Sequence, residues 1–333
     1  RTTLGDHPMA DPAPALEAQD LIKTYKGGVR ALDGLSFAVR PGTIYALLGP
    51  NGAGKTTSMR ILTTLARPDQ GRAAVAGIDV LRHPGRVRSV IGAVSQHGGA
   101  VSLLTGQENM TLQGRLYGLG GAQLRRRSAD LLRQFGLADA ARRPARTYSG
   151  GMRRRLDVAM MLVHRPAVLF LDEPTTGLDP EGRAGLWSTL TALAAESGTT
   201  ILVTTHYLEE ADQFADRVAI VDRGQVVAEG PPAELKDGLH GDSVLLELPE
   251  AGLAELAQKA LADIPQARQV TADGRAVRAR VDDGPRALPA VLAALEAGRV
   301  PVTSVTVARP TLDDVYLHHA GRSFRAAEGI ATP

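Results

Sequence analysis

The chain has no cysteine among its 333 residues, which excludes a disulfide framework, a thiolate metal site and a thiol nucleophile. That absence suits a reducing compartment. Long apolar runs are missing as well: continuous stretches such as Ala167 to Leu171 are about five residues long, against the roughly 20 that a helix needs to cross a bilayer. Any passage through a membrane is therefore expected to use another chain. Nor is there an excess of one charge, because 38 basic residues face 36 acidic ones and leave a net charge of +2. So weak a field does not argue for nucleic acid as a partner. Lysine is scarce, five residues against 33 arginines, and Lys55 is the only one between Lys26 and Lys236. With 44% apolar and 22% charged residues, the chain can fill ordinary cores and is long enough for two domains.

That isolated lysine sits in Gly49-Pro50-Asn51-Gly52-Ala53-Gly54-Lys55-Thr56-Thr57, which contains G-x-x-x-x-G-K-[ST]. Loops of this pattern wrap the β- and γ-phosphates of a nucleotide in backbone N–H groups. A compact ammonium on a flexible stem reaches into such a loop, where a planar guanidinium is too wide. A site for ATP or GTP is expected. The Thr56 hydroxyl is placed to coordinate Mg²⁺, and Thr57 is expected to cap the helix that follows.

The surroundings have the order that the loop requires. Leu16 to Ile22 and Leu35 to Val39 have the pattern of short strands, and Thr43 to Leu48 is an apolar run that feeds into the loop. Thr56 to Leu65 then carries helical periodicity and stops before Pro68. Residues 97 to 165 alternate leucines and arginines at three- and four-residue steps, which predicts an inserted helical subdomain. Ala167 to Leu171 and Thr200 to Thr204 are predicted to be strands covered on both faces, in a parallel sheet of P-loop type. A hairpin is expected around Arg223-Gly224, and a domain boundary near residue 240. From Ser243 the predicted order is βαββαβ plus a closing helix, a split-βαβ domain with helices on one face over about 241 to 320. Residues 1 to 14, with Pro8, Pro12 and Pro14 and no apolar segment, are expected to be a disordered leader or tag. Residues 321 to 333 are expected to be a tail.

The run Val168 to Leu171 delivers Asp172 and Glu173 to a strand end. In a nucleotide site Asp172 would hold the metal, and Glu173 would polarise the attacking water as general base. Ser149, Gly150 and Gly151 open a predicted helix whose N–H groups and positive dipole end favour a γ-phosphate. Arg153, Arg154 and Arg155 point apart on that helix and are read as solvated or structural.

Tyr148-Ser149-Gly150-Gly151-Met152, then Asp172-Glu173-Pro174-Thr175-Thr176-Gly177-Leu178-Asp179 and His206, resembles the nucleotide-binding domain of ATP-binding cassette (ABC) transporters. The resemblance covers residues 16 to 238 and implies an ATP-driven dimer. Each ATP is clamped between the phosphate loop of one subunit and the Ser-Gly-Gly signature of the other. It further implies that Tyr25 stacks on adenine, that Gln96 contacts Mg²⁺ and links ATP to a membrane subunit, that His206 contacts the γ-phosphate, and that Asp179 communicates across the dimer. Tyr148 and Met152 depart from the usual Leu-Ser-Gly-Gly-Gln, and Met152 cannot make a glutamine's hydrogen bonds. Tyr-Ser-Gly-Gly-Met-Arg-Arg-Arg-Leu and the C-terminal Leu312-Asp313-Asp314-Val315-Tyr316 are similar to the daunorubicin-resistance ATP-binding subunits, a drug-exporting branch. That resemblance implies an ATPase that drives export through a separate ABC-2 type permease at the cytoplasmic face of the membrane. The alternative is a soluble ABC ATPase of DNA repair or translation. Against it stand the absence of a long coiled coil between Lys55 and Ser149 and the presence of a single cassette.

Overall fold

The structure, a computed structural model, describes residues 13 to 327 except His97, His240 and Gln266. The expected leader falls outside the described residues apart from Ala13 and Pro14, and the expected tail is described only as far as Ala327. Two compact units divide the chain: one covers residues up to Leu48 and Gly52–Val226, the other the remainder.

The elements up to the division are β1 (Leu16–Thr24), β2 (Arg30–Val39), β3 (Ile44–Leu48), α1 (Lys55–Leu62), β4 (Gln70–Val75), β5 (Ile78–Asp79), α2 (Pro84–Val90) and β6 (Ile91–Val94). They continue with α3 (Gly106–Leu116), α4 (Gly121–Gln134), α5 (Gly150–Met161), β7 (Val168–Asp172), α6 (Pro180–Ser197), β8 (Thr200–Thr205), α7 (Leu208–Phe214) and β9 (Arg217–Asp222), and β10 (Gln225–Gly230) runs across the division. Strands β3, β8, β7 and β6 pair in parallel, in a six-stranded sheet of order β10-β9-β3-β8-β7-β6. Every residue of β3 and β8 is buried, as a parallel strand covered on both faces requires. An antiparallel sheet of order β2-β1-β4-β5 lies beyond α1. Leu16, Leu21 and Phe37 of that sheet, Met59, Ile61 and Leu62 of α1, and Tyr45, Leu47 and Phe170 of the parallel sheet share one core.

The helices between β6 and β7 pack on one another, α3 against α4 and both against α5. At Gly114 a side chain would run into Leu124, so the glycine lets α3 and α4 approach closely. Thr105 and Glu108 start α3 with a reciprocal capping box, 3.1 Å and 2.8 Å.

The second unit holds α8 (Pro232–Asp237), β11 (Asp242–Glu247), α9 (Ala254–Ala262), β12 (Ala267–Asp273), β13 (Ala276–Val281), α10 (Gly284–Ala297), β14 (Ser304–Ala308), α11 (Leu312–Ala320) and α12 (Phe324–Ala327). Its sheet has the order β12-β13-β11-β14 with antiparallel neighbours, the split-βαβ arrangement. Val244, Leu246, Val277, Ala279 and Val281 meet Ala257, Leu261, Val291 and Leu295 of α9 and α10 in a separate core.

Two features differ from the sequence pattern. Helix α8 packs against α11, so Pro232–Asp237 groups with the second unit and the division falls at Val227 rather than near 240. Helices also cover both faces of the second sheet. Arg278 alternates with the core residues of β13 and points the other way, where it pairs with Asp313 at 2.8 Å and Asp314 at 3.1 Å at the start of α11. Both differences come from contacts distant in sequence.

Replacing Leu246 by Ala is expected to cost about 2–5 kcal/mol of stability. Chemical denaturation of the full chain would show this as a lower midpoint, and an unchanged midpoint would remove Leu246 from the core.

Candidate functional site

Four adjacent strands of the parallel sheet, in the order β3, β8, β7, β6, present their carboxyl ends at one edge, the edge at which open α/β sheets bind ligands. After β3 comes the phosphate-loop sequence and then α1. Gly54 takes the N-cap position of α1 with φ +110°, and a Cβ there would lie 2.6 Å from the Ala31 carbonyl and 2.7 Å from Leu32 Cδ2. Only glycine fits. No side chain caps α1 and its first turn holds no acid, which leaves its positive end suited to an anion. Thr57 therefore does not cap the helix as expected. Because the turn closes at Gly54, α1 begins at Lys55 and Thr57 lies within its first turn.

Lys55 is 4% exposed, and its Nζ stands 3.8 Å from Glu173 Oε1. The Thr56 hydroxyl is 3.3 Å from Asp172 Oδ1, an oxygen that also accepts from the Thr204 hydroxyl at 2.6 Å. Gln96 Nε2 donates to Glu173 Oε2 at 3.1 Å, and His206 Nδ1 is 3.5 Å from that same oxygen. Lys55, Thr56, Gln96, Asp172, Glu173 and His206 thus meet in one cluster, although they come from widely separated parts of the sequence.

Glu173 has φ +44°, a left-handed backbone that a non-glycine residue adopts at a cost. Its N–H is held by the Thr204 carbonyl at 3.2 Å and the Thr204 hydroxyl at 3.0 Å. His206, and with it Lys55, holds the Glu173 carboxyl below the usual glutamate range, while burial pushes the other way. At 3.5 Å the His206 contact is at the long limit of a hydrogen bond. Glu173 is ionised at neutral pH, as a general base must be.

Other residues singled out in the sequence lie apart from this cluster. Ser149 is the N-cap of α5 and accepts from the Met152 N–H at 3.2 Å. Gly150 and Gly151 form the first turn of α5, and Asp179 caps α6 by accepting from the Gly182 N–H at 3.1 Å. Tyr25 follows β1 with Lys23 Nζ 5.8 Å from its ring centre. Tyr148 donates its hydroxyl to the Ala140 carbonyl at 2.7 Å, a bond that leucine could not make.

Thr204, Arg154, Asp157 and Glu210 were not visible as site residues in the sequence. Arg154 was readable only as one member of an arginine run. Glu210 accepts from Thr175 at 2.8 Å and Thr205 at 3.3 Å, tying the turn after Glu173 to the one that carries His206. Burial raises the Glu210 pKa, against those hydroxyls and Arg183. Its signal, an acid four residues after a histidine, is too common to read alone.

The fold and this cluster define an ABC-type ATP-binding cassette, and residues 32–176 match the family model described as ABC transporter. Residues 230–320 match a second model, described as ATP-binding protein DrrA1-3-like, C-terminal domain. The chain belongs to the family of daunorubicin-resistance ATP-binding proteins of ABC transporters. It is 48% identical over 322 residues to daunorubicin resistance ATP-binding protein DrrA3 of Streptomyces coeruleorubidus, covering 96% of this chain and 99% of that relative. To daunorubicin/doxorubicin resistance ATP-binding protein DrrA of Streptomyces peucetius it is 46% identical over 311 residues, 93% of each. Among solved structures, the dimeric post-hydrolysis state of the ATP-binding cassette MJ0796 bound to ADP and phosphate superposes with a TM-score of 0.60 at 27% identity, covering 65% of this chain and 98% of that one. The protein is an ATPase, converting ATP and water to ADP and phosphate. A repair or translation ATPase is disfavoured, because the similarity to transporter subunits includes the C-terminal unit.

Replacing Glu173 by Gln keeps the shape and would remove the expected base. ATP turnover is expected to fall about 10²- to 10⁴-fold with nucleotide affinity retained, as measured by phosphate release and equilibrium binding; undiminished turnover would take Glu173 out of this role.

Proposed function

We propose that this subunit powers the export of a small hydrophobic drug or antibiotic-like compound through a separate ABC-2 type permease. The reading rests on the ionised Glu173 carboxylate, set between Lys55, Gln96 and His206. In this reading the loop Gly49-Pro50-Asn51-Gly52-Ala53-Gly54-Lys55-Thr56-Thr57 holds the phosphates, and Tyr25 stacks on adenine. Glu173 takes a proton from the attacking water, while His206 and Gln96 orient the reacting groups. Among the described residues no three His, Asp or Glu side chains group as a metal site. Thr56, Gln96 and Asp172 would hold Mg²⁺, directly or through water, with phosphate oxygens and water filling the rest of its shell. When bound it neutralises charge on the β- and γ-phosphates.

A second copy completes each site with its Ser149-Gly150-Gly151 turn and Asp179. The glycine at 150 supports this. It has no positive φ, and a Cβ there would meet nothing within 4 Å, so nothing in this chain's own packing calls for glycine. Close approach by another molecule does.

No helix among the described residues is long and apolar enough to cross a membrane. In this reading the compound passes through the partner, with this subunit peripheral on the cytoplasmic face. Val101, Leu103, Leu112 and Leu116, on α3 and the segment between Gln96 and α3, are 40–75% exposed and offer the permease an apolar surface. The names of the relatives, daunorubicin and doxorubicin resistance, support the substrate class.

Co-purification with a permease, followed by drug transport in vesicles that contain both chains, tests the export reading. Transport that ignores Lys55→Ala would reject it. For the shared site, Glu173→Gln with Mg²⁺ and ATP is expected to sediment as a dimer. Adding Gly150→Val, which the open local space tolerates, is expected to leave a monomer that still binds ATP; a dimer that survives this change would argue against the signature turn.

A further inference from the structure

Arg154 is 7% exposed and aims its guanidinium at three backbone carbonyls: Nη1 at Ser95 (2.7 Å), Nη2 at Asp172 (2.9 Å) and Nε at Pro174 (2.9 Å). These acceptors bracket the reacting cluster, since Ser95 precedes Gln96 and the other two flank Glu173. Three residues further along α5, the buried Asp157 accepts from the N–H groups of Gly99 (2.9 Å) and Ala100 (2.8 Å). A Cβ on Gly98 would lie 2.5 Å from Asp157 Oδ2, so that residue too is pressed against the carboxylate. Helix α5 therefore grips the Gln96 segment on both sides of Gln96. The same helix carries Ser149 at its N-cap, less than two turns from Arg154.

We propose that Arg154 is a positioning residue for ATP hydrolysis, which fixes Gln96 and Glu173 relative to the signature turn so that a shift of α5 is transmitted to both. The proposal rests on the reading of Gln96 and Glu173 given above. Two physical points favour a specific role over general packing. Burying a cation is costly even with the Asp157 and Asp172 carboxylates nearby to offset part of the penalty, and an apolar side chain would fill the same volume more cheaply. Moreover, the planar fork serves three acceptors at once, which an ammonium on a flexible stem cannot do with the same geometry. The φ of +44° at Glu173 needs outside support, and Arg154 holds the carbonyls on either side of it.

The test uses the full chain and four variants: Arg154→Met, Gln96→Ala, the double variant and Glu173→Gln. Arg154→Met is expected to bind ATP within about threefold of wild type while kcat falls about 10- to 100-fold, the signature of an interaction that matters only in the transition state. Because Arg154 acts partly through Gln96, its loss is expected to slow the Gln96→Ala variant by a clearly smaller factor than it slows wild type. Effects that multiply, or a kcat within about twofold of wild type for Arg154→Met, overturn the proposal. Should Arg154→Met not fold, Arg154→Lys keeps the charge but loses the fork: a several-fold lower kcat at unchanged ATP affinity supports the assignment, and wild-type kcat overturns it. Continued turnover by Glu173→Gln would instead reject the underlying site reading, so the two failures are distinguishable.

Discussion

A carboxylate more than four-fifths removed from solvent, on a residue with a left-handed backbone, is unstable unless its surroundings are arranged for it. At Glu173 those surroundings come from the ends of four strands. Lys55 follows β3, Gln96 follows β6, Glu173 itself follows β7, and Thr204 and His206 come from β8 and the residue after it. The parallel pairing of these strands is what makes the cluster possible, because it puts all four carboxyl ends on one edge. The long apolar cores on either side of the sheet hold those strand ends in place. Negative charge at Glu173 also gives the site an affinity for cations, here met by the ammonium of Lys55.

Helix α5 has a second structural load. Its first turn presents glycines that the chain's own packing does not require, and its interior returns two buried charged side chains, Arg154 and Asp157, to the segment that carries Gln96. Tyr148, just before the cap, fastens the same helix start to the Ala140 carbonyl. The helical subdomain is thereby connected to the edge that carries Gln96 and Glu173 through polar contacts with defined directions, not only through apolar packing.

Much of this was legible in the primary structure, for identifiable reasons. The phosphate loop needs glycine at 54 and a lysine at 55 whatever surrounds them, and a lone lysine in an arginine-rich chain stands out. Asp172 and Glu173 were readable because an apolar run of strand length leads straight to them. The βαββαβ order predicted from Ser243 outlined the second sheet. Arg154 was not distinguishable from Arg153 and Arg155, because a run of three like residues carries no sign of which one faces inward. Thr204 has no signal at all, and its hydroxyl matters only because β8 lies beside β7. The Asp313-Asp314 pair stands in a recognisable motif, but its ionic partner Arg278 lies 35 positions before Asp313, on a strand whose outward face carries no sign of the helix that covers it.

From its sequence alone this chain is determined to be a nucleotide-binding α/β protein with a helical insertion and an appended βαββαβ unit. Those properties follow from local periodicity and from short motifs whose chemistry acts within a few residues. Tertiary structure alone decided which side chains meet. It brought Gln96 and His206 to one carboxylate oxygen, buried the middle arginine of three, put Gly54 rather than Thr57 at the head of α1, and placed α11 across the second sheet. Each of these outcomes depends on strand order and helix packing between distant segments, and a linear pattern does not carry that information.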